Sequence, residues 1–222
     1  MNNGFTTYVF DLDGTLIESH KTIYNAMIAA FEKLDINYNL SPDDFNENIG
    51  LHFEDIFSKY AIVVPDFEMF LTIYKKLYFN YIDESTPYSN VESTLQQLKQ
   101  RGKQIALLTT KAQDQADLII EHFNFSNYFD LVMGRRVGIA HKPDPQPLRI
   151  ICDQLTTDVK SCIMVGDTEM DIRCGKNAGS KTCGVTFGYR HREFLKSENP
   201  DYLINNLQDI LSISNEELPP PE

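Results

Sequence analysis

The chain has 222 residues, 42% of them hydrophobic and 23% charged, and a formal net charge of −12. That length buries a substantial core and suits one large domain, or one domain with a modest insertion. The acidic balance speaks against nucleic acid or an anionic membrane as a partner, and an anionic substrate must be drawn in locally, by a metal or a few placed cations.

The N-terminus, Met1-Asn2-Asn3-Gly4-Phe5, has neither the basic flank nor the apolar stretch of a signal peptide. No apolar run approaches the length needed to span a bilayer, so the expected location is cytoplasmic. Tyr8-Val9-Phe10 reads as a short buried strand of a parallel sheet, running straight into Asp11-Leu12-Asp13-Gly14-Thr15. Asp11 then stands where the strand leaves the sheet, the place where open α/β sheets bind ligands. The pattern then turns helical. Ile23, Ala26, Met27, Ala30, Phe31 and Leu34 recur at helical spacing, and Ser41-Pro42-Asp43-Asp44 marks a second helix start. Gly50 breaks the next segment, Phe53, Ile56, Phe57 and Tyr60 follow as a short amphipathic pattern, and residues 67–81 are aromatic-rich with helical recurrence. No strand is expected between residues 16 and 81, which predicts a small all-helical insertion.

Thr86-Pro87-Tyr88 reads as the return crossing. Val91, Leu95 and Leu98 form a helix stripe ended by Gly102. Residues 105–108 form a buried strand ending at Thr109-Thr110-Lys111, and Leu118, Ile119, His122 and Phe123 a helix. A short strand within 128–133, a helix over 147–155, a strand over 162–165 ending in Gly166-Asp167, a helix over 172–178 and strands at 182–185 and 202–204 complete the pattern. Strands alternating with helices imply an α/β fold with a parallel sheet. The expected organisation is a Rossmann-like core of residues 1–16 and 86–215, a helical cap of residues 17–85, and a disordered tail of residues 216–222. Cys152, Cys162, Cys174 and Cys183 form no C-x-x-C pair, which favours free thiols over zinc or disulfides.

Three strands thus end in reactive residues, Asp11/Asp13, Thr109 and Asp167, and His141-Lys142-Pro143-Asp144-Pro145 adds a lysine in a proline-bracketed turn. In a parallel sheet these ends converge on one edge. The set suits phosphoryl transfer. A carboxylate is a nucleophile toward phosphorus and a hard ligand for Mg²⁺, a hydroxyl and an ammonium hold phosphate oxygens, and a second carboxylate moves the protons. Taken singly each piece has a plainer reading. Asp-x-Asp-Gly is a turn or a calcium-type loop, Thr109 a helix cap, Lys142 a solvated surface lysine and Asp171 a helix N-terminal charge.

Asp11-Leu12-Asp13-Gly14-Thr15, Thr109 behind its apolar strand, Lys142-Pro143-Asp144-Pro145 and Gly166-Asp167-Thr168-Glu169-Met170-Asp171 together resemble, in order, the four motifs of the haloacid dehalogenase-like (HAD) phosphohydrolases. The placement of the cap just after the first motif is similar to that in the phosphoglycolate phosphatase-like branch. The resemblance implies that Asp11 is the nucleophile and a metal ligand, and that Asp13 is the general acid/base and binds metal through its carbonyl. It implies that Thr109 binds the transferring phosphoryl group, Lys142 orients Asp11, Asp167 ligates Mg²⁺ directly and Asp171 acts one shell further out. Thr110 stands where many members of the branch have Asn, which keeps the backbone N–H but changes the side chain. Residues 46–53 align with the substrate-specificity loop, which makes Gly50 and His52 substrate-binding candidates, but that loop carries no arginine for a substrate carboxylate. The expected activity is Mg²⁺-dependent hydrolysis of a small phosphorylated metabolite, phosphoglycolate first, by a monomer or homodimer. The alternatives are a β-phosphoglucomutase-like mutase, an inorganic pyrophosphatase and, from another class, a non-catalytic phospho-aspartate receiver.

Overall fold

A computed structural model describes residues 4–213; the tail expected over residues 216–222 lies outside them. The chain divides into two compact units, one of Ile17–Thr86 and the other of the residues up to Leu16 and from Pro87 onward. In chain order the strands are β1 Thr7–Phe10, β2 Ile17–Glu18, β3 Thr86–Pro87, β4 Gln104–Ala112, β5 Leu131–Arg135, β6 Cys162–Gly166, β7 Lys181–Val185 and β8 Tyr202–Ile204. The helices are α1 His20–Lys33, α2 Pro42–Asn46, α3 Phe53–Lys59, α4 Phe67–Tyr78, α5 Val91–Gln100, α6 Gln113–His122, α7 Gln146–Gln154, α8 Glu169–Ala178 and α9 Arg192–Ser197.

Among the described residues, six strands form one sheet in the order β5-β4-β1-β6-β7-β8. Every pairing in it is parallel. This is the Rossmann-like α/β class that the alternation of strand and helix predicts. β1 is central and buried along its whole length. Val9 pairs with Ala106 on one side and Met164 on the other. That face of the sheet packs on Leu148 and Ile151 of α7 and Cys174 and Ala178 of α8. Tyr8 and Phe10, on the opposite face by strand alternation, stack with ring centroids 6.4 Å apart.

Two details differ from the sequence expectation. β2 and β3 form a two-stranded ladder where no strand is expected before residue 81, because two residues are too few to leave a periodic signal. β4 runs one residue past the expected end at Thr109-Thr110-Lys111, to Ala112, and passes through a register irregularity between Leu108 and Ala112. An irregular extension of that kind re-aims side chains at the end of a sheet.

The second unit is built on aromatic packing. Phe31 of α1 meets Phe57 of α3 at 5.1 Å and Phe70 of α4 at 5.4 Å between centroids, and Phe53 meets Tyr74 edge-on at 4.8 Å. Asp66 caps α4 by accepting from Met69 N, and Ser41 caps α2 by accepting from Asp44 N. The Thr22 hydroxyl donates to the Tyr81 carbonyl and shares a 2.6 Å hydrogen bond with Ser85, tying the first helix to the end of the unit. No helix among the described residues is long and apolar enough to cross a membrane.

Candidate active site

The site is assembled at the carboxyl ends of β1, β4 and β6. Parallel pairing carries one residue past β1, since Asp11 N donates to Val165 O at 2.9 Å. This fixes the Asp11 backbone before the chain turns away. Gly14 makes the turn with φ +80, and a Cβ there would overlap the Asp167 carboxylate. Gly188 abuts the same residue from the loop after β7, where a Cβ would overlap Asp167 and the Gly14 carbonyl.

Lys142 is the hub. Its Nζ donates to Asp11 Oδ1 at 2.7 Å and to Asp171 Oδ1 at 2.6 Å, and it is only 2% exposed. Asp171 is itself held by the start of α8, where its Oδ2 accepts from Thr168 N at 3.0 Å and from the Thr168 hydroxyl at 2.7 Å. This is a capping-box arrangement with an aspartate in the usual Glu position. Asp167 accepts from the Thr15 hydroxyl on Oδ1 at 3.1 Å and from Tyr189 N on Oδ2 at 2.8 Å. Asp13 pairs with Lys111, Oδ1 to Nζ 3.3 Å, the two side chains being 13% and 8% exposed. Thr109 is buried, and its Oγ1 accepts from Lys111 N at 3.2 Å.

The charges in this cluster do not balance. Asp11, Asp167 and Asp171 each offer a carboxylate oxygen, and these lie within 4.8 Å of one another. Two negative charges at that separation repel by roughly 3 kcal/mol at an effective dielectric of about 20. Burial, and then the charges of Asp171 and Asp13, push the Asp11 carboxyl up to about 7 against the pull of Lys142. Burial and the Asp11 and Asp171 charges push Asp167 well above the usual carboxylate range. Burial disfavours the Lys142 ammonium, yet its two carboxylates together hold it charged above the ordinary lysine value. A divalent cation fits this donor set: hard oxygen ligands, buried, crowded and with one net ammonium among three acids. Asp11 and Asp167 would hold it with the Asp13 carbonyl, while Asp171 is engaged by Lys142 and Thr168.

Asp11, Asp13, Thr109, Thr110, Lys142, Asp167 and Asp171 therefore all belong to one unit, and all but Thr110 make side-chain contacts described above. Thr110 is half-buried within β4. Gly50 and His52 belong to the other unit. Gly50 sits in a turn with φ +98 and His52 at the N-cap position of α3. Sequence reasoning did not reach four contributors: Lys111, the Thr15 hydroxyl, the Tyr189 backbone N–H and the Arg190–Glu169 pair at 2.9 Å beside the Asp167 turn. Lys111 stands two residues after Thr109, and no local pattern links it to its partner Asp13. The Tyr189 contact uses a backbone amide, which every non-proline residue has.

A family model for haloacid dehalogenase-like hydrolases matches residues 8–185. The chain belongs to this family. As a haloacid dehalogenase-like hydrolase it is 32% identical over 208 residues to pyrophosphatase PpaX of Bacillus mycoides (strain KBAB4), covering 93% of this chain and 95% of the relative. It is 31% identical over 215 residues to pyrophosphatase PpaX of Bacillus velezensis, covering 94% and 96%. A crystal structure of a predicted phosphoglycolate phosphatase from Haemophilus somnus 129PT superposes with a TM-score of 0.80 at 25% identity, covering 94% of this chain and 97% of that one. Family and relatives make this haloacid dehalogenase-like chain an enzyme of the phosphatase type.

Proposed function

We propose that the chain is a Mg²⁺-dependent phosphohydrolase that works through an aspartyl phosphate on Asp11, with inorganic pyrophosphate as the first candidate substrate. The observation that carries the reaction is the Asp11 carboxylate at the end of β1, with the Lys142 ammonium 2.7 Å from its Oδ1 and a second carboxylate two residues on. Lys142 fixes which Asp11 oxygen is engaged and leaves the other for attack on phosphorus. As the P–O bond breaks, the leaving oxygen keeps the electron pair and takes a proton from Asp13. Asp13 then takes a proton from water, whose oxygen attacks the phosphorus, releases phosphate and restores the Asp11 carboxylate. Thr109 donates its hydroxyl to the transferring group. Bound Mg²⁺ supplies the positive charge that lets an anionic phosphate approach an anionic nucleophile.

Pyrophosphate is favoured as substrate by the relatives above 30% identity named pyrophosphatase PpaX, which match along nearly their whole length. Phosphoglycolate is the second reading, favoured by the 25%-identical structure of that description. The test is phosphate release with Mg²⁺ from pyrophosphate, phosphoglycolate and a panel of small phosphoesters. Asp11→Asn should lower turnover on the order of 10⁴-fold or more while the protein stays folded. An active Asp11→Asn enzyme overturns the mechanism, and a requirement for a sugar bisphosphate with little phosphate released would point to the mutase instead.

A further inference from the structure

The two lysines of the site serve different carboxylates. Lys142 Nζ lies 2.7 Å from the proposed nucleophile Asp11, and Lys111 Nζ lies 3.3 Å from the proposed acid/base Asp13. In the reaction proposed above, one positive charge then stands beside the nucleophile and the other beside the acid that protonates the leaving group. Thr109 and Lys111 are two residues apart in β4, within the irregular stretch between Leu108 and Ala112. The Lys111 N–H bond to Thr109 Oγ1 ties the two together. The irregular continuation of β4 beyond Leu108 is what brings a lysine to this position.

An oxygen hydrogen-bonded to Asp13 Oδ1 is at most roughly 6.5 Å from the Lys111 ammonium. With 8% of the lysine side chain exposed, water screens that charge weakly. Lysine acts as a point charge with rotatable donors, so a single ammonium serves a carboxylate and an arriving anion together. A neutral alcohol gains little from such a cation. A leaving group that already carries negative charge is attracted on binding, and more strongly as charge accumulates on its oxygen. In a molecule of net charge −12 that attraction has to come from within the site.

We propose that Lys111 is a specificity-determining residue that selects substrates whose leaving group is itself an anion, the phosphoanhydride class of which inorganic pyrophosphate is the smallest member. The proposal rests on the phosphohydrolase reading above and narrows it. The wild type, Lys111→Gln and Lys111→Arg are to be compared on pyrophosphate and on 4-nitrophenyl phosphate, whose leaving group is uncharged until the bond breaks. The ratio of kcat/KM values, pyrophosphate over nitrophenyl ester, should fall on the order of tenfold or more in Lys111→Gln and stay within a few-fold in Lys111→Arg. Equal losses on both substrates overturn the proposal, because a residue that merely supports Asp13 affects both. A wild type that releases phosphate from neither substrate overturns the phosphohydrolase reading itself, and this proposal with it. Binding gives a readout without turnover. In the Asp11→Asn background, Lys111→Gln should weaken the non-hydrolysable methylenediphosphonate by a similar factor and orthophosphate by less. Unchanged diphosphonate affinity counts against the proposal.

Discussion

Asp11 carries a measurable signature of its crowding. Burial raises its carboxyl from 3.8 to about 7, so in the metal-free protein the folded state holds a proton that the unfolded chain releases. Stability then falls as pH rises from about 4 to about 7, and the raised carboxyl of Asp167 adds to the fall in the same direction. Thermal unfolding in a chelator should show the melting temperature declining across that window. Asp11→Asn should flatten the decline, and Mg²⁺ should restore stability at the upper end; a wild type with no slope there would contradict the crowding. Lys142 is the other half of the same balance. Lys142→Met leaves Asp11 and Asp171 buried without their cation, a loss of about 3 kcal/mol or more, which a shift in denaturant midpoint reports. These residues were legible in the sequence because each motif acid or lysine closes an apolar run or a proline-bracketed turn. Lys111 was not, because its partner Asp13 lies almost a hundred positions away and no local pattern links them.

At the scale of elements, the site depends on three chain segments meeting without side chains in between. The loop after β7 places Gly188 against Asp167 and Tyr189 N at 2.8 Å from its Oδ2. Gly188→Ala must push that loop or Asp167 aside. Mg²⁺ affinity measured by calorimetry should fall about tenfold or more, as is usual when the partners that orient a ligand are disturbed. An unchanged affinity would mean that the loop yields and the carboxylate does not. At the start of α8, Thr168→Ala removes a hydroxyl that Asp171 accepts from at 2.7 Å, and should cost about 1 kcal/mol by denaturation. Strand and helix identities could be read in advance because apolar periodicity is strong where the sheet is buried on both faces. The irregular stretch of β4 could not, since Thr109-Thr110-Lys111 has no apolar period and lies between the pairings of Leu108 and Ala112 with β5. The two-residue β2 and the backbone donor of Tyr189 escaped for the same kind of reason: neither leaves a pattern in residue type.

For the whole molecule, a net charge of −12 repels an anionic substrate at long range, while the cations that bind it act over a few ångströms. Salt screens the first more than the second, the Debye length being about 8 Å at physiological ionic strength. At fixed free Mg²⁺, kcat/KM for pyrophosphate should therefore rise modestly, by up to about threefold, as NaCl goes from about 20 to about 150 mM. A steep fall instead would show that the local cations dominate at a distance too. Lys142 joins residues 131 positions apart to its N-terminal side and 29 apart to its C-terminal side. Central β1 pairs with β4 and with β6, and Asp167 is completed by a donor 22 residues further on. On a ribosome, then, Asp11 is made well before Lys142, Asp167 and the Tyr189 amide that complete its site. A nascent or truncated chain that stops before Lys142 contains a nucleophile with no ammonium to orient it, so activity waits for the chain to pass Lys142 and the loop that holds Asp167.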